Sequence, residues 1–506
     1  MHAALRINDI LREIFIYIQE DEDSNKTAYR AAFVCKQFLP HALDVLWFSV
    51  ETLGPLIALI PYSTTTSTSL SFTTLLNKED LSIFDLHARR VKELSLPTKH
   101  LIGVPVMMNL LDSLGRSSLL PNLRKLSLGA HALTLSESDC FLLCSSLKYL
   151  TIQGKGISFL LPRIAQAAPS IQHLESLYES IPPNLISFLK HLRLLKSLRT
   201  KNEFIISPAS FPSSFPFAEY LTTWSASSIV LCHDDTVLPG GIEFPSLTTL
   251  ELTEPVPAGE LVALFSRSVF PKLQVLTFCA PPYDEESENP EDATAYKTSW
   301  LNLFPLLFKK RHCLQFLHIK GDGYFDYRRE ETEMDLGDFF ADVEWQTLRI
   351  FWLDEPKLIK PLTLTSIDRL CTKFPFLSNF RVYLPTSTRI SFDDLAVLVD
   401  RLPLLYCLNI SINGANLADP PSVPILSHYL KTLCIEESDI PDPFLFARYI
   451  DRLFPCAVIQ EVEYPSEEEE LLISAHKLVR GCRKDQEERS KQKPIRKKQT
   501  ARRGRA

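Results

Sequence analysis

Two cysteines four residues apart, Cys140 and Cys144 in CFLLC, have the spacing that sets two thiols on one side of a helix. Thiolates so placed hold zinc when a second pair of ligands completes the tetrahedron. No second pair stands at a matching spacing, and two packed thiols are the plainer reading. CHDD, from Cys232 to Asp235, groups three types of metal ligand in a loop-like stretch, again without further spaced partners. GKGIS, from Gly154, lacks the Lys-Ser/Thr pair of a phosphate loop and reads as a turn after a strand. HExxH, paired CxxC and GxSxG are absent, and the twelve histidines are dispersed. A non-catalytic protein without cofactor or metal is expected.

Composition bounds what elements must position any site. The 506 residues exceed one compact core, which suggests either several domains or a repeat array. Only 15 residues are Gly, against 35 Pro, and phosphate-cradling loops need glycine. The start, MHAALRINDILREIF, lacks a basic opening, an apolar run and a small-residue cleavage site. The eleven scattered cysteines then read as reduced thiols of a cytoplasmic or nuclear protein. No eighteen-residue apolar run suggests a membrane span. The net charge of −7 divides unevenly: residues 483–506 carry +8 and the remainder −15. Any attraction for nucleic acid therefore belongs to the tail alone.

A repeat dominates the middle of the chain. PNLRKLSL at Pro121, SSLKYLTI at Ser145, PSLTTLEL at Pro245, PKLQVLTF at Pro271 and PLLYCLNI at Pro403 share the template x-x-L-x-x-L-x-L. With weaker copies, the second motif residue falls at Leu94, Leu126, Leu150, Leu174, Leu198, Trp224, Leu250, Leu276, Leu317, Phe351, Phe380, Leu408, Leu433 and Val462. The steps include three of 24 and then three of 26, a regularity that apolar richness alone does not produce. L-x-L alternates as a half-buried strand does. The intervening stretches have helical spacing, as Leu395, Leu398, Val399 and Leu402 show. One unit is helix, turn, strand, and no unit buries its leucines without a neighbour.

This pattern resembles the leucine-rich-repeat family over about residues 85–465. The resemblance implies an irregular solenoid, since the asparagine that regularises many members is mostly missing. An α/β chain is expected: a helical module at 5–55, a linker and cap at 56–85, about 14 repeats at 86–465, and a C-terminal helix with a basic disordered tail at 466–506.

The opening residues raise a separate question. Ile10, Leu11, Ile14, Phe15 and Ile18 read as one apolar stripe of a first helix, capped by Asn8 or Asp9. A second helix from about Thr27 to Phe38 presents Ala31, Val34, Cys35 and Phe38. A third, started near Pro40, presents Leu43, Leu46 and Trp47. So short a segment carries more large apolar groups than its own core hides. The surplus either docks a partner or caps the first layer of the array.

ILREIF followed by AAFVCKQFLPHALDVLW resembles an F-box. That resemblance implies docking on the Skp adaptor of a cullin-scaffolded SCF-type ubiquitin ligase, with Ile10, Leu11, Ile14, Phe15, Val34, Cys35, Phe38, Leu46 and Trp47 as docking or core positions. Arg6-Ile7-Asn8 stand where the family has Leu-Pro, so that proline's contacts are not carried over. Joined to leucine-rich repeats, the chain is similar to the F-box and leucine-rich-repeat proteins of mushroom-forming fungi. The repeats then select a protein substrate, and other subunits perform the chemistry.

Residues between the motif leucines should point away from the shared core and pave a binding face. These are Ser127, Thr151, Glu175, Arg199, Ser225, Glu251 and Thr277, then Phe316, His318, Trp352, Asp354, Arg381 and Tyr383. The later group mixes aromatic residues with arginine, the mixture enriched where partners bind most strongly. It is the candidate substrate site. PPYDEESENPED and GDGYFDYRREETEMDLGD read as acidic loops, and the Ser/Thr run from Ser63 to Thr74 as part of the linker.

Overall fold

A computed structural model describes residues 5, 7–21, 23–61, 63–65, 70–72, 78–96, 103–129, 137–153, 161–177, 188–201, 204–206, 218–231, 242–280, 290–309, 313–321, 346–354, 363–382, 389–414, 428–435, 440, 442–460 and 470–481. Tyr383, CHDD, GKGIS, most of both acidic loops and the basic tail lie outside these residues. The chain divides into two compact units, Met1–Gly240 with Phe244–Leu247, and Gly241–Glu243 with Thr248–Ala506.

The first unit opens with three helices, α1 (Asn8–Gln19), α2 (Ser24–Ala32) and α3 (Phe38–Leu46). Ile7 is the N-cap of α1 and makes no side-chain cap bond. Asn8, expected to cap, instead offers Oδ1 to His41 Nε2 at 3.3 Å. Helix α2 ends at Ala32, ahead of its expected end, and Val34 and Cys35 lie on the turn that follows. The break precedes Pro40, whose missing N–H is tolerated only in the first turn of a new helix, which is where α3 places it. The core of this module is small: Phe15, Ala28, Ala42 and Val45, with Ile18, Ala31, Ala32, Phe38 and Leu46 against it.

A parallel ladder then begins at β1 (Ser49–Val50) and continues through β2 (Glu93–Leu96), β3 (Lys125–Leu128), β4 (Tyr149–Gln153), β5 (His173–Leu177), β6 (Ser197–Thr200) and β7 (Thr223–Ala226). Its register is the one the template requires. Leu94 pairs with Leu126, Leu126 with Leu150, Leu150 with Leu174, Leu174 with Leu198, and Leu198 with Trp224. Val50 supplies a rung ahead of the first recognised repeat, opposite Leu94. All these residues but Val50 are exposed by 2% or less, and each leucine removed from water stabilises the stack by about 1.5–3 kcal/mol.

The second unit repeats the construction in β8 (Thr249–Pro255), β9 (Val275–Cys279), β10 (Phe316–Lys320), β11 (Ile350–Leu353), β12 (Asn379–Val382), β13 (Cys407–Ile410), β14 (Thr432–Cys434) and β15 (Val458–Ile459). Leu250, Leu276, Leu317, Phe351, Phe380, Leu408 and Leu433 pair in succession. The last described rung is Ile459, opposite Leu433; Val462, the rung read from the sequence, lies outside the described residues. The longest step, between Leu276 and Leu317, contains a helix, Pro290–Lys309, which follows the acidic stretch read as a loop. Its Trp300 stacks on Phe278 of β9 at 5.8 Å, so the added length contributes core. Repeat helices here are capped by side chains: Ser391 Oγ accepts from Asp394 N–H at 3.1 Å, and Asp442 Oδ1 accepts from Phe444 and Leu445 N–H at 3.0 Å each.

Hydroxyls tie some neighbouring repeats together. Ser146, Ser170 and Thr347 stand just before their repeat's first leucine. They donate to the carbonyls of Leu123, Leu147 and Leu314, the first leucines of the preceding repeats, at 2.9, 3.1 and 2.9 Å. The Ser63–Thr65 and Leu70–Phe72 segments form an antiparallel pair within the stretch read as linker. No described helix is long and apolar enough to cross a membrane.

Candidate functional site

The nine docking positions proposed for the helical module divide by burial. Leu11 and Phe15 are enclosed, at 1% and 3% exposure. Cys35, Phe38, Leu46 and Trp47 are half-buried, while Ile10, Ile14 and Val34 face outward. The single stripe expected on α1 is two. Leu11, Phe15 and Ile18 turn inward at i, i+4 and i+7. Ile7, Ile10, Ile14 and Tyr17, at i, i+3, i+7 and i+10, form an exposed apolar row on the adjoining flank of the helix.

The outward surface extends beyond the residues the sequence singled out. Tyr29 and Phe33 pack edge to face at 5.1 Å on α2 and just beyond it, and Phe33 is 75% exposed. Leu39 is exposed at the start of α3. Tyr17, Tyr29, Phe33 and Leu39 were not anticipated. Their signal was present as a surplus: Ala28 and Ala42 fill the core centre, which leaves no inner place for further large groups.

The other edge of the module is fixed to the ladder. Trp47 lies on the ring of His87 at 4.8 Å between centroids. Arg90 pairs with Asp44 and donates to the Pro40 carbonyl at 3.0 Å. Lys92 and Glu93 N–H both donate to the Phe48 carbonyl at 2.9 Å. Burial lowers the His87 pKa, and Arg90 lowers it further.

Five of the six residues proposed for the substrate site come together on adjacent strands of the second unit. In-register pairing puts Phe316 and His318 beside Ile350 and Trp352, and Trp352 beside Arg381. Asp354 bridges two side chains: His318 Nε2 lies 2.8 Å from Oδ2, and Arg381 Nε lies 3.0 Å from Oδ1. The Trp352 ring meets Phe316 edge-on at 5.2 Å and His318 at 5.1 Å, with the Arg381 guanidinium carbon 6.0 Å from its centroid. Asn379 completes the group, accepting from Trp352 Nε1–H at 2.9 Å. It was missed because its role is a contact to Trp352 on the neighbouring strand. The sixth residue, Tyr383, lies outside the described residues.

The earlier face is plainer. Thr151 Oγ1 donates to Glu175 at 3.1 Å, and Arg199 lies 3.5 Å from the same carboxylate. Ser225 and Thr277, expected to pave the face, are buried at 6% and 7% exposure. Both are short, and larger in-register neighbours stand beside them, Arg199 next to Ser225, and Glu251 and His318 around Thr277. Cys144 Sγ donates to the Leu123 carbonyl at 3.3 Å and is buried, whereas Cys140 is half-buried.

No protein-family model matches the chain, and no curated protein matches it. Solved structures similar to it include a leucine-rich-repeat protein of Leptospira interrogans, with 15% identity over 77% of this chain and 81% of that one, at a TM-score of 0.37. The Rad7–Elc1 complex of yeast matches with 12% identity over 82% and 91%, at 0.33. The leucine-rich-repeat protein LegL7 of Legionella pneumophila matches with 12% identity over 70% and 91%, at 0.28.

Proposed function

We propose that the chain is a non-catalytic adaptor of an SCF-type ubiquitin ligase: the helical module docks the Skp adaptor, and the ladder face holds a protein substrate. One observation carries the reading. A three-helix module whose core is already filled keeps Ile10, Ile14, Tyr17, Phe33 and Val34 in water. So many exposed apolar groups on one small module cost solubility and are retained where a partner covers them. The preformed Asp354 network supports the second half, because aromatic and arginine side chains held in place lose little entropy on binding.

The test is capture of purified Skp adaptor by the full chain. Ile14→Asp with Val34→Asp alters two exposed positions and leaves the enclosed Leu11 and Phe15 untouched. The wild-type chain should retain the adaptor, and the double variant should bind at least about tenfold more weakly. If the wild-type chain captures none, the ligase reading is wrong. A ligase-independent scaffold is then the better account, favoured by the anchorage of Trp47 on His87, which suits a module that caps the array.

A further inference from the structure

In the first unit's described repeats, the residue after the template's first leucine stands just before the strand, and its backbone links rung to rung. Arg124 N–H donates to the Lys92 carbonyl at 2.7 Å, Lys148 to Arg124 at 2.8 Å, Gln172 to Lys148 at 2.8 Å, Lys196 to Gln172 at 2.7 Å and Thr222 to Lys196 at 2.8 Å. These residues therefore stand in one column along the strand-start edge, one rung or about 4.8 Å apart. Four of the first five are cationic. Arg124, Lys148 and Lys196 are exposed, and among the described residues none of them is in an ion pair.

The column repels positive charge. Burial lowers the Lys92 pKa first and Arg124 lowers it further, while Asp44 and Cys144 act the other way. Burial also lowers the His173 pKa, with Lys196 adding to the effect. The nearest carboxylates do not cancel the column. Asp44 is taken by Arg90, Glu175 by Thr151 and Arg199, and half-buried Glu93 stands in register with Lys125. Beside the column, Tyr149 and His173 stack with centroids 4.2 Å apart and planes 5° from parallel, a flat wall one residue further along the strands.

We propose that this edge binds an acidic polypeptide segment, whose carboxylates pair with Arg124, Lys148 and Lys196 while its backbone lies along the Tyr149–His173 wall. An extended peptide presents side chains on one side about every 6.8 Å, a spacing that flexible lysines on neighbouring rungs reach. The occupant is a short acidic stretch and not a nucleic acid, because the chain without residues 483–506 carries −15 and repels a polyanion that outruns the column. The inference rests on the reading of the ladder as a protein-binding face. Skp-adaptor capture belongs to the helical module, so the two fail separately.

The probe is fluorescein-labelled oligoglutamate, titrated onto the full chain by anisotropy. Lys148→Gln with Lys196→Gln should weaken binding about tenfold or more, and Gln172 shows that glutamine fits this column. Gln172→Lys fills the gap and should strengthen binding severalfold, a gain that misfolding does not produce. Lys431→Gln, at the corresponding position of the second unit, should change nothing. Carbodiimide should link the probe to Lys125, Lys148 or Lys196. Four results would overturn the proposal: no binding by the wild-type chain, unchanged binding by the Lys148/Lys196 pair, links confined to Lys491, Lys493, Lys497 and Lys498, or tighter binding of oligo-dT at the same lysines.

Discussion

The two ladders are built on the same kind of interior and differ at their edges. In the first unit the column just before the strands reads Lys92, Arg124, Lys148, Gln172, Lys196, Thr222. In the second unit the corresponding residues are Thr248, Gln274, Gln315, Arg349, Ser378, Tyr406 and Lys431, linked by the same amide-to-carbonyl bonds of 2.7–2.9 Å. Arg349 there covers Phe376 at 4.8 Å and donates to its carbonyl, so its charge is engaged at home. The second unit instead concentrates its polar chemistry in mid-strand, around Asp354. Backbone pairing and buried leucines fix where each position lies, and leave its side chain open to specialisation in either place.

The comparison breaks most directly at the interior. If both ladders depend on their rungs alike, Leu150→Ala and Phe351→Ala should each cost several kcal/mol: about 2–5 for the leucine and about 3–5 for the phenylalanine. Phe351 stacks on Phe380 and Phe374 at 6.1 and 6.2 Å, so its loss opens the larger cavity. Urea unfolding of the full chain measures both. A loss under about 1 kcal/mol for Leu150→Ala would mean that the first ladder is held by something other than its rungs.

The next contrast is between the two carboxylates that bridge neighbouring rungs. Asp354 and His318 have side chains 21% and 12% exposed, whereas Glu175 faces an Arg199 side chain that is 60% exposed. Asp354→Ala should therefore destabilise by about 1–2 kcal/mol, leaving His318 and Arg381 without the carboxylate between them. Glu175→Ala should cost about 0–1 kcal/mol, as solvent screens the pair. Equal losses in urea unfolding would erase the distinction between a preformed site and a solvated row.

What the sequence disclosed follows from the same division. Every interior rung from Leu94 to Leu433 was legible, because alternation and step length depend only on burying leucines. Val50 and Ile459 were not, since the ladder's ends lack the full template. On α1 the spacing of apolar residues announced a helix, but could not say that Leu11 and Phe15 face in while Ile10 and Ile14 face out. That depends on Ala28 and Ala42, small residues on other helices that let α1 approach. The Asp354 cluster was legible in five residues, because alternation assigns the face, and Asn379 escaped because its role is a contact across strands. The basic column was written in the template itself, as VKEL, LRKL, LKYL and LKSL, at a position that reads as variable until the backbone shows it to be a line.

The smallest expected effect tests that line directly. His173 is held below its ordinary pKa first by burial and then by Lys196. Lys196→Gln removes the second cause and leaves the ring buried against Tyr149, so the His173 pKa should rise part of the way towards about 6.5. The sign for stability follows. A histidine whose folded pKa is depressed costs stability as pH falls below the unfolded value, because the unfolded chain takes up the proton first. Lys196→Gln should therefore lessen the acid-side loss below about pH 6.5, with little change at pH 8 and above. Proton NMR of the His173 ring over that range reads the shift, and Lys431→Gln should leave it where it was. A His173 pKa that ignores Lys196 would mean that the column's charges are screened one from another, and that the first unit's edge differs from the second's in composition without differing in field.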